Sequence, residues 1–151
     1  MTNPVVVKRK LATLQEYVDK LSAYSQRSFE QFLKNEEFRF AVERCLQVSI
    51  ECAVDSAALL LASLGLRPST RGQAAFTTLG ELQVFDLEFA SRLAGYVHAR
   101  NLLVHQYEKL RPAWVYATMK IAVRDLSEYR RQVVVFLDQQ ESKQKKKGKQ
   151  R

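Results

Sequence analysis

Arginine, asparagine, histidine and tyrosine stand close together in the stretch Arg100-Asn101-Leu102-Leu103-Val104-His105-Gln106-Tyr107. A guanidinium is a permanently charged fork that matches the oxygens of a phosphate. An imidazole exchanges protons near neutrality and serves as acid or base. Together they suit the breaking of an RNA phosphodiester. In that reaction a 2′-hydroxyl loses a proton, the departing 5′-oxygen gains one, and the charge on the phosphate between them is stabilised. Such a site requires no metal.

The spacing of these residues is uneven on a helix. Phe89, Leu93, Tyr96, Val97, Leu103, Val104 and Tyr107 mark one broad apolar stripe at ~3.6 residues per turn. Arg100 falls within that stripe, where a charge is costly unless paired or used. Asn101 and His105 are four apart and neighbours on the adjoining strip of surface. Arg100 and His105 are five apart, which turns them about 140° from one another on a regular helix. They converge only if the arginine bends round, if the helix ends near His105, or if a second copy supplies the partner group. An arginine and a histidine on one helix also fit a plain ion pair and a satisfied polar residue. Glu43, Glu51 and Asp55 are acids at helical spacing that would serve Arg100 in that case.

The elements that must position this stretch are all helical. Apolar positions Leu11, Leu14, Val18, Leu21, Tyr24, Phe29 and Phe32 predict one first helix from about Val6 to Lys34. Asn35 followed by Glu36 and Glu37 predicts a capped start to the second. Its seam of Val42, Leu46, Ile50, Ala53, Ala57, Leu60 and Leu64 ends at Gly65. A loop follows at 67–72, then a short helix from about Gln73 to Leu82. Asp86 caps a helix to about His105, and Pro112 opens the last, which is expected to end near Gln140. No useful period-two segment appears. The expected fold is all-α: an antiparallel four-helix bundle with an additional short helix. Residues 1–140 form one domain and 141–151 a basic, disordered tail.

Charge and composition narrow the class further. The chain carries a net charge of +8, but its last nine residues hold six of the 24 basic groups and no acid. Without them the body is close to balance against 16 acidic residues. The tail would hold RNA electrostatically, or simply be solvated. Cys45 and Cys52, seven apart on a helix, are separated by roughly 10 Å of rise and are expected as reduced thiols. No uninterrupted apolar run reaches the ~20 residues that cross a bilayer, and the N-terminus lacks the order of a signal peptide. A cytoplasmic protein with no membrane contact is the expectation. A carboxylate-bridged metal bundle is disfavoured, because neither His98 nor His105 follows a glutamate by three residues.

The run from Arg100 to Tyr107 resembles the Arg-x4-His-x-Tyr motif of the HepT-like branch of the HEPN superfamily. Ala41-Val42-Glu43-Arg44-Cys45-Leu46-Gln47 is similar to the branch's second-helix signature, and Val115-Tyr116 to a downstream Val-Tyr pair. The similarity spans roughly Phe40 to Leu137. It implies a two-fold homodimer whose motif copies meet in a cleft. It also implies a metal-independent endoribonuclease, needing no cofactor, that acts on RNA as the toxin of a type VII-like toxin–antitoxin pair. Arg100 and His105 become the catalytic pair and Asn101 a supporting polar group. Tyr107 becomes the residue AMPylated by the cognate MntA-type minimal nucleotidyltransferase antitoxin. Many relatives carry an acid shortly after the motif tyrosine, where this chain has Arg111. The alternative is a non-catalytic helical interaction module that binds a nucleotidyltransferase partner and nucleotide or RNA without cleavage.

Overall fold

Val7, Leu11, Leu14, Val18 and Leu21 form the buried face of the first helix, α1 (Pro4–Ser25). In the computed structural model, which describes residues 4–66 and 72–149, this helix stops well before the expected end at Lys34. A capping box intervenes. The Gln31 backbone N–H donates to Ser28 Oγ at 3.1 Å, and the Ser28 N–H donates back to Gln31 Oε1 at 3.0 Å. A separate short helix, α2 (Phe29–Lys34), begins there and buries Phe32. The apolar periodicity ran through the break because both segments feed one core, while the Ser-x-x-Gln signal marked a new start.

Asn35 closes α2 and opens α3 (Glu36–Ser63), accepting from the Phe38 N–H at 3.0 Å as the sequence predicts. Arg39 reaches back to cover the Phe32 carbonyl at 3.2 Å, an acceptor that the end of α2 leaves open. α3 is the central element, packed on α1, α2, α5, α6 and the short helix α4 (Gln73–Glu81). It ends at a left-handed Gly65, with the Leu66 N–H bonded to the Leu61 carbonyl and the Gly65 N–H to Ala62. It is the one described helix long and apolar enough to cross a membrane, and 61% of its most apolar stretch is buried in the bundle. The loop expected at 67–72 lies, apart from Gly72, outside the described residues.

α5 (Leu87–His105) and α6 (Pro112–Lys149) complete the architecture. The four long helices α1, α3, α5 and α6, with the short α2 and α4, form an antiparallel all-α bundle. Lys8 on α1 meets Glu141 on α6 at 2.6 Å, and Lys10 meets Asp55 late on α3 at 3.5 Å, which fixes both neighbours antiparallel to α1. Tyr129 is wholly buried in the centre. Its hydroxyl lies 2.8 Å from Ser56 Oγ and 3.1 Å from the Ala53 carbonyl, which Ser56 also approaches at 2.9 Å. Two hydroxyl protons thus serve three close contacts, and burial pushes the Tyr129 hydroxyl well above the ordinary phenol range. Fully buried leucines such as Leu14, Leu46, Leu60 and Leu93 each contribute about 1.5–3 kcal/mol of burial.

The last helix differs from expectation at its far end. It passes the expected end near Gln140 and runs to Lys149, so the basic segment is helical through the described residues. Lysine and glutamine are good helix formers, no proline interrupts, and cations suit the helix C-terminus.

Candidate functional site

Asp86 starts α5 by accepting from the Phe89 N–H at 2.7 Å. From that cap the helix runs unbroken to His105, with Phe89, Leu93, Tyr96, Val97 and Leu103 buried. Arg100 lies among them and is half-buried. Its Nε is buried and has no hydrogen-bond partner. The acids named as possible partners are engaged elsewhere or stay apart. Asp55 pairs with Lys10 at 3.5 Å, and Glu51 accepts from Gln47 at 3.2 Å. Burial pushes the Glu43 carboxyl above its ordinary range, with Arg39 as the cation opposing that shift. Among the described residues no ion pair neutralises Arg100, and the ion-pair reading of this residue falls.

His105 is the last residue of α5 and is exposed, as is Asn101 one turn earlier. The Gln106 N–H closes the helix on the Leu102 carbonyl at 3.0 Å. The chain then makes a single 3-10 turn, Tyr107–Lys109, before Pro112 opens α6. Of the geometric routes by which Arg100 and His105 converge, a helix that ends at His105 is therefore present. Tyr107 does not continue the apolar stripe. It stands beyond the helix, 67% exposed, with its ring in solvent. Arg111 offers no side-chain oxygen for an N-cap, although its carbonyl accepts from the Val115 N–H at 3.1 Å.

Sequence reasoning missed the partner network next to this stretch. Asp125 on α6 is only 6% exposed and accepts from the Tyr96 hydroxyl at 2.8 Å. Arg92 approaches its other oxygen at 3.4 Å. The signal was available: Asp125 interrupts the apolar run Ala122, Leu126, Tyr129 and Val133 just as Arg100 interrupts that of α5. Beside it, Gly95, His98, Ala99, Leu102, Trp114 and Ile121 line a groove of about 430 Å³ between α5 and α6. Cys45 and Cys52 are free and buried, and burial raises both thiols. Among the described residues no three His, Cys, Asp or Glu side chains gather as a metal-ligand set.

Chemically, the end of α5 offers a half-buried guanidinium whose Nε has no hydrogen-bond partner, an exposed imidazole and an exposed amide within two turns. These are the group types that can hold an anion and exchange a proton beside it.

Comparison with known proteins agrees with this assembly of fold and motif. Residues 14–133 match the model of the family described as ribonuclease HepT-like. The chain is 30% identical over 139 residues to the tRNA nuclease HepT of Aphanizomenon flos-aquae strain 2012/KM1/D3, covering 91% of this chain and 95% of that protein. Among solved structures, YutE of Bacillus subtilis, a cytosolic protein of unknown function, superposes with a TM-score of 0.79 at 16% identity, over 92% of this chain and 93% of that one. A tri-AMPylated Shewanella oneidensis HEPN toxin in complex with MNT antitoxin superposes with a TM-score of 0.74 at 20% identity, over 86% and 97%. The motif at the end of α5, the helical bundle that presents it, and the match over most of the length place this chain in the HepT-like ribonuclease family.

Proposed function

We propose that the chain is a metal-independent endoribonuclease toxin, held in check by a nucleotidyltransferase antitoxin that AMPylates Tyr107. The observation that carries this reading is the Arg100 Nε, buried without a partner one turn before the exposed His105 at a helix end. A buried donor left open costs about 1–3 kcal/mol, and an anionic ligand removes that cost. A phosphate of RNA is such a ligand.

In the proposed reaction Arg100 takes the non-bridging oxygens of the scissile phosphate. One imidazole removes the 2′-hydroxyl proton, the 2′-oxygen bonds to phosphorus, and the 5′-oxygen leaves with a proton. A single His105 cannot hold both roles at once. A two-fold homodimer whose α5 ends meet in a cleft supplies two. Asn101, one turn from His105 on the same strip, supports the phosphate or the attacking hydroxyl. AMP on the exposed Tyr107 hydroxyl would set a phosphate and a nucleoside beside the arginine, where substrate phosphate belongs. The named relatives support the partner as well as the reaction, being a tRNA nuclease and a toxin held by its antitoxin.

The test is RNA cleavage by purified protein in chelator, with Arg100→Ala and His105→Ala alongside. Cleavage by the parent and none by either variant is the expected result. RNA bound but left intact by the parent at every pH would favour the non-catalytic module. Intact mass after co-expression with a nucleotidyltransferase should rise by whole AMP units, and Tyr107→Phe should abolish the increase.

A further inference from the structure

Lys120, Arg124, Arg131, Lys145 and Lys149 all lie on α6 and are all exposed. At 100° per residue they fall within about 60° of one another, so they share one side of the helix. From Lys120 to Lys149 this row is ~44 Å long. It starts two turns into α6, near the end of the bundle that carries His105 and Tyr107. It finishes beyond the opposite end, past Leu137, the last buried residue of α6, and past the Lys8–Glu141 pair. Every residue from Ser142 to Lys149 is exposed, and Lys143, Lys146 and Lys147 add charge on the other sides. Acids divide the row, so that its cations outside ion pairs among the described residues stand in two groups, Lys120 with Arg124 and Lys143 to Lys149. Glu128 is taken by Arg131 at 2.6 Å, and Asp138 lies on the same side as the cations.

We propose that this side of α6 is a track for the phosphate backbone of RNA, with the extension from Lys143 to Lys149 as its distal anchor. The proposal rests on the ribonuclease reading for its ligand. Ser142 to Lys149 contains no apolar side chain, so the extension lacks the face with which an amphipathic helix enters a membrane. Two groups of fixed positive charge at the ends of a helix side ~44 Å long fit a linear polyanion that spans them, and each phosphate neutralised releases counterions. An RNA cut at the α5 end gains from the anchor only if it is long or folded enough to span the helix. The track thereby selects large structured RNA over short fragments without reading sequence.

The experiment measures binding of bulk transfer RNA and of a short single-stranded oligonucleotide against salt concentration, in a His105→Ala background that leaves RNA intact. Two variants are compared: truncation after Glu141, and Lys120→Gln with Arg124→Gln. Each should weaken transfer RNA binding by roughly tenfold at moderate salt and lower the salt slope by about one per cation removed. The truncation should leave oligonucleotide binding unchanged in that background, and oligonucleotide cleavage unchanged in the chain that keeps His105. Folded variants with unaltered affinity and slope would overturn the track while leaving the ribonuclease reading intact. Track-dependent binding by a parent protein that cleaves nothing would keep the track and overturn that reading. Truncation that spares RNA binding but abolishes binding to phosphatidylserine vesicles or to the nucleotidyltransferase partner would also overturn the RNA assignment.

Discussion

The Tyr96 hydroxyl donates to Asp125 Oδ2 over 2.8 Å, tying α5 to α6 one turn before Arg100. Both groups are buried, and among the described residues Asp125 has otherwise only the long contact from Arg92 at 3.4 Å. Tyr96→Phe should therefore cost about 1–3 kcal/mol in urea denaturation, because the carboxylate loses its donor. Burial first, and the carboxylate second, push the Tyr96 phenol far above its ordinary value of 10.0. The folded state thus holds a proton that the unfolded chain releases. This stabilisation is complete below pH 10 and declines as pH climbs above it, a decline that Tyr96→Phe should lessen.

Arg100→Met should separate stability from activity. The methionine keeps much of the apolar stem while removing the buried, unpartnered Nε. Thermal stability is expected to hold or rise by up to ~1–2 kcal/mol, while RNA cleavage is lost. A variant clearly less stable than the parent would show that the guanidinium supports the fold after all.

Two glycines should respond in opposite directions to the same substitution. A Cβ at Gly80 on α4 would stand 2.7 Å from the Ala90 Cβ on α5, whereas one at Gly95 meets nothing within 4 Å. Gly80→Ala should destabilise by about 1–3 kcal/mol through overpacking. Gly95→Ala should stabilise by up to ~1 kcal/mol through helix propensity. Melting curves of the two variants side by side decide this.

Hydrogen bonds from Arg131 and Gln132 hold the Glu128 carboxyl at about 2, below its ordinary 4.5. Its contribution to stability is present above pH 4.5 and fades as pH falls toward 2. The pair is exposed, so the effect is small and screened by salt. Acid unfolding curves of the parent should carry this component at low ionic strength, and those of Glu128→Gln should lack it.

Much of the fold was legible because caps and glycine stops are local signals. Asn35, Asp86, Gly65 and Pro112 mark helix ends where the sequence placed them. The first helix misled because Phe29 and Phe32 keep its apolar rhythm across a boundary that Ser28 and Gln31 set by hydrogen bonding. The end of α6 lies beyond the expected Gln140 for the converse reason, since the apolar rhythm stops there while lysine itself favours helix. In the site, Arg100 was visible as a charge on an apolar stripe. Asp125 obeys the same rule but went unread, because its partner Tyr96 is remote in sequence and only the packing of α5 on α6 brings them together.

Tyr107 stands in a short turn outside both helices, with two-thirds of its surface in solvent. Among the described residues no hydrogen bond, ion pair or ring contact engages its side chain. On the proposed reading, AMP attached there silences the neighbouring arginine and histidine while leaving every helix in place. The silenced protein would then be a fully folded reserve, as durable as the active form. Its release would need only the cleavage of one ester bond, with no refolding and no new synthesis.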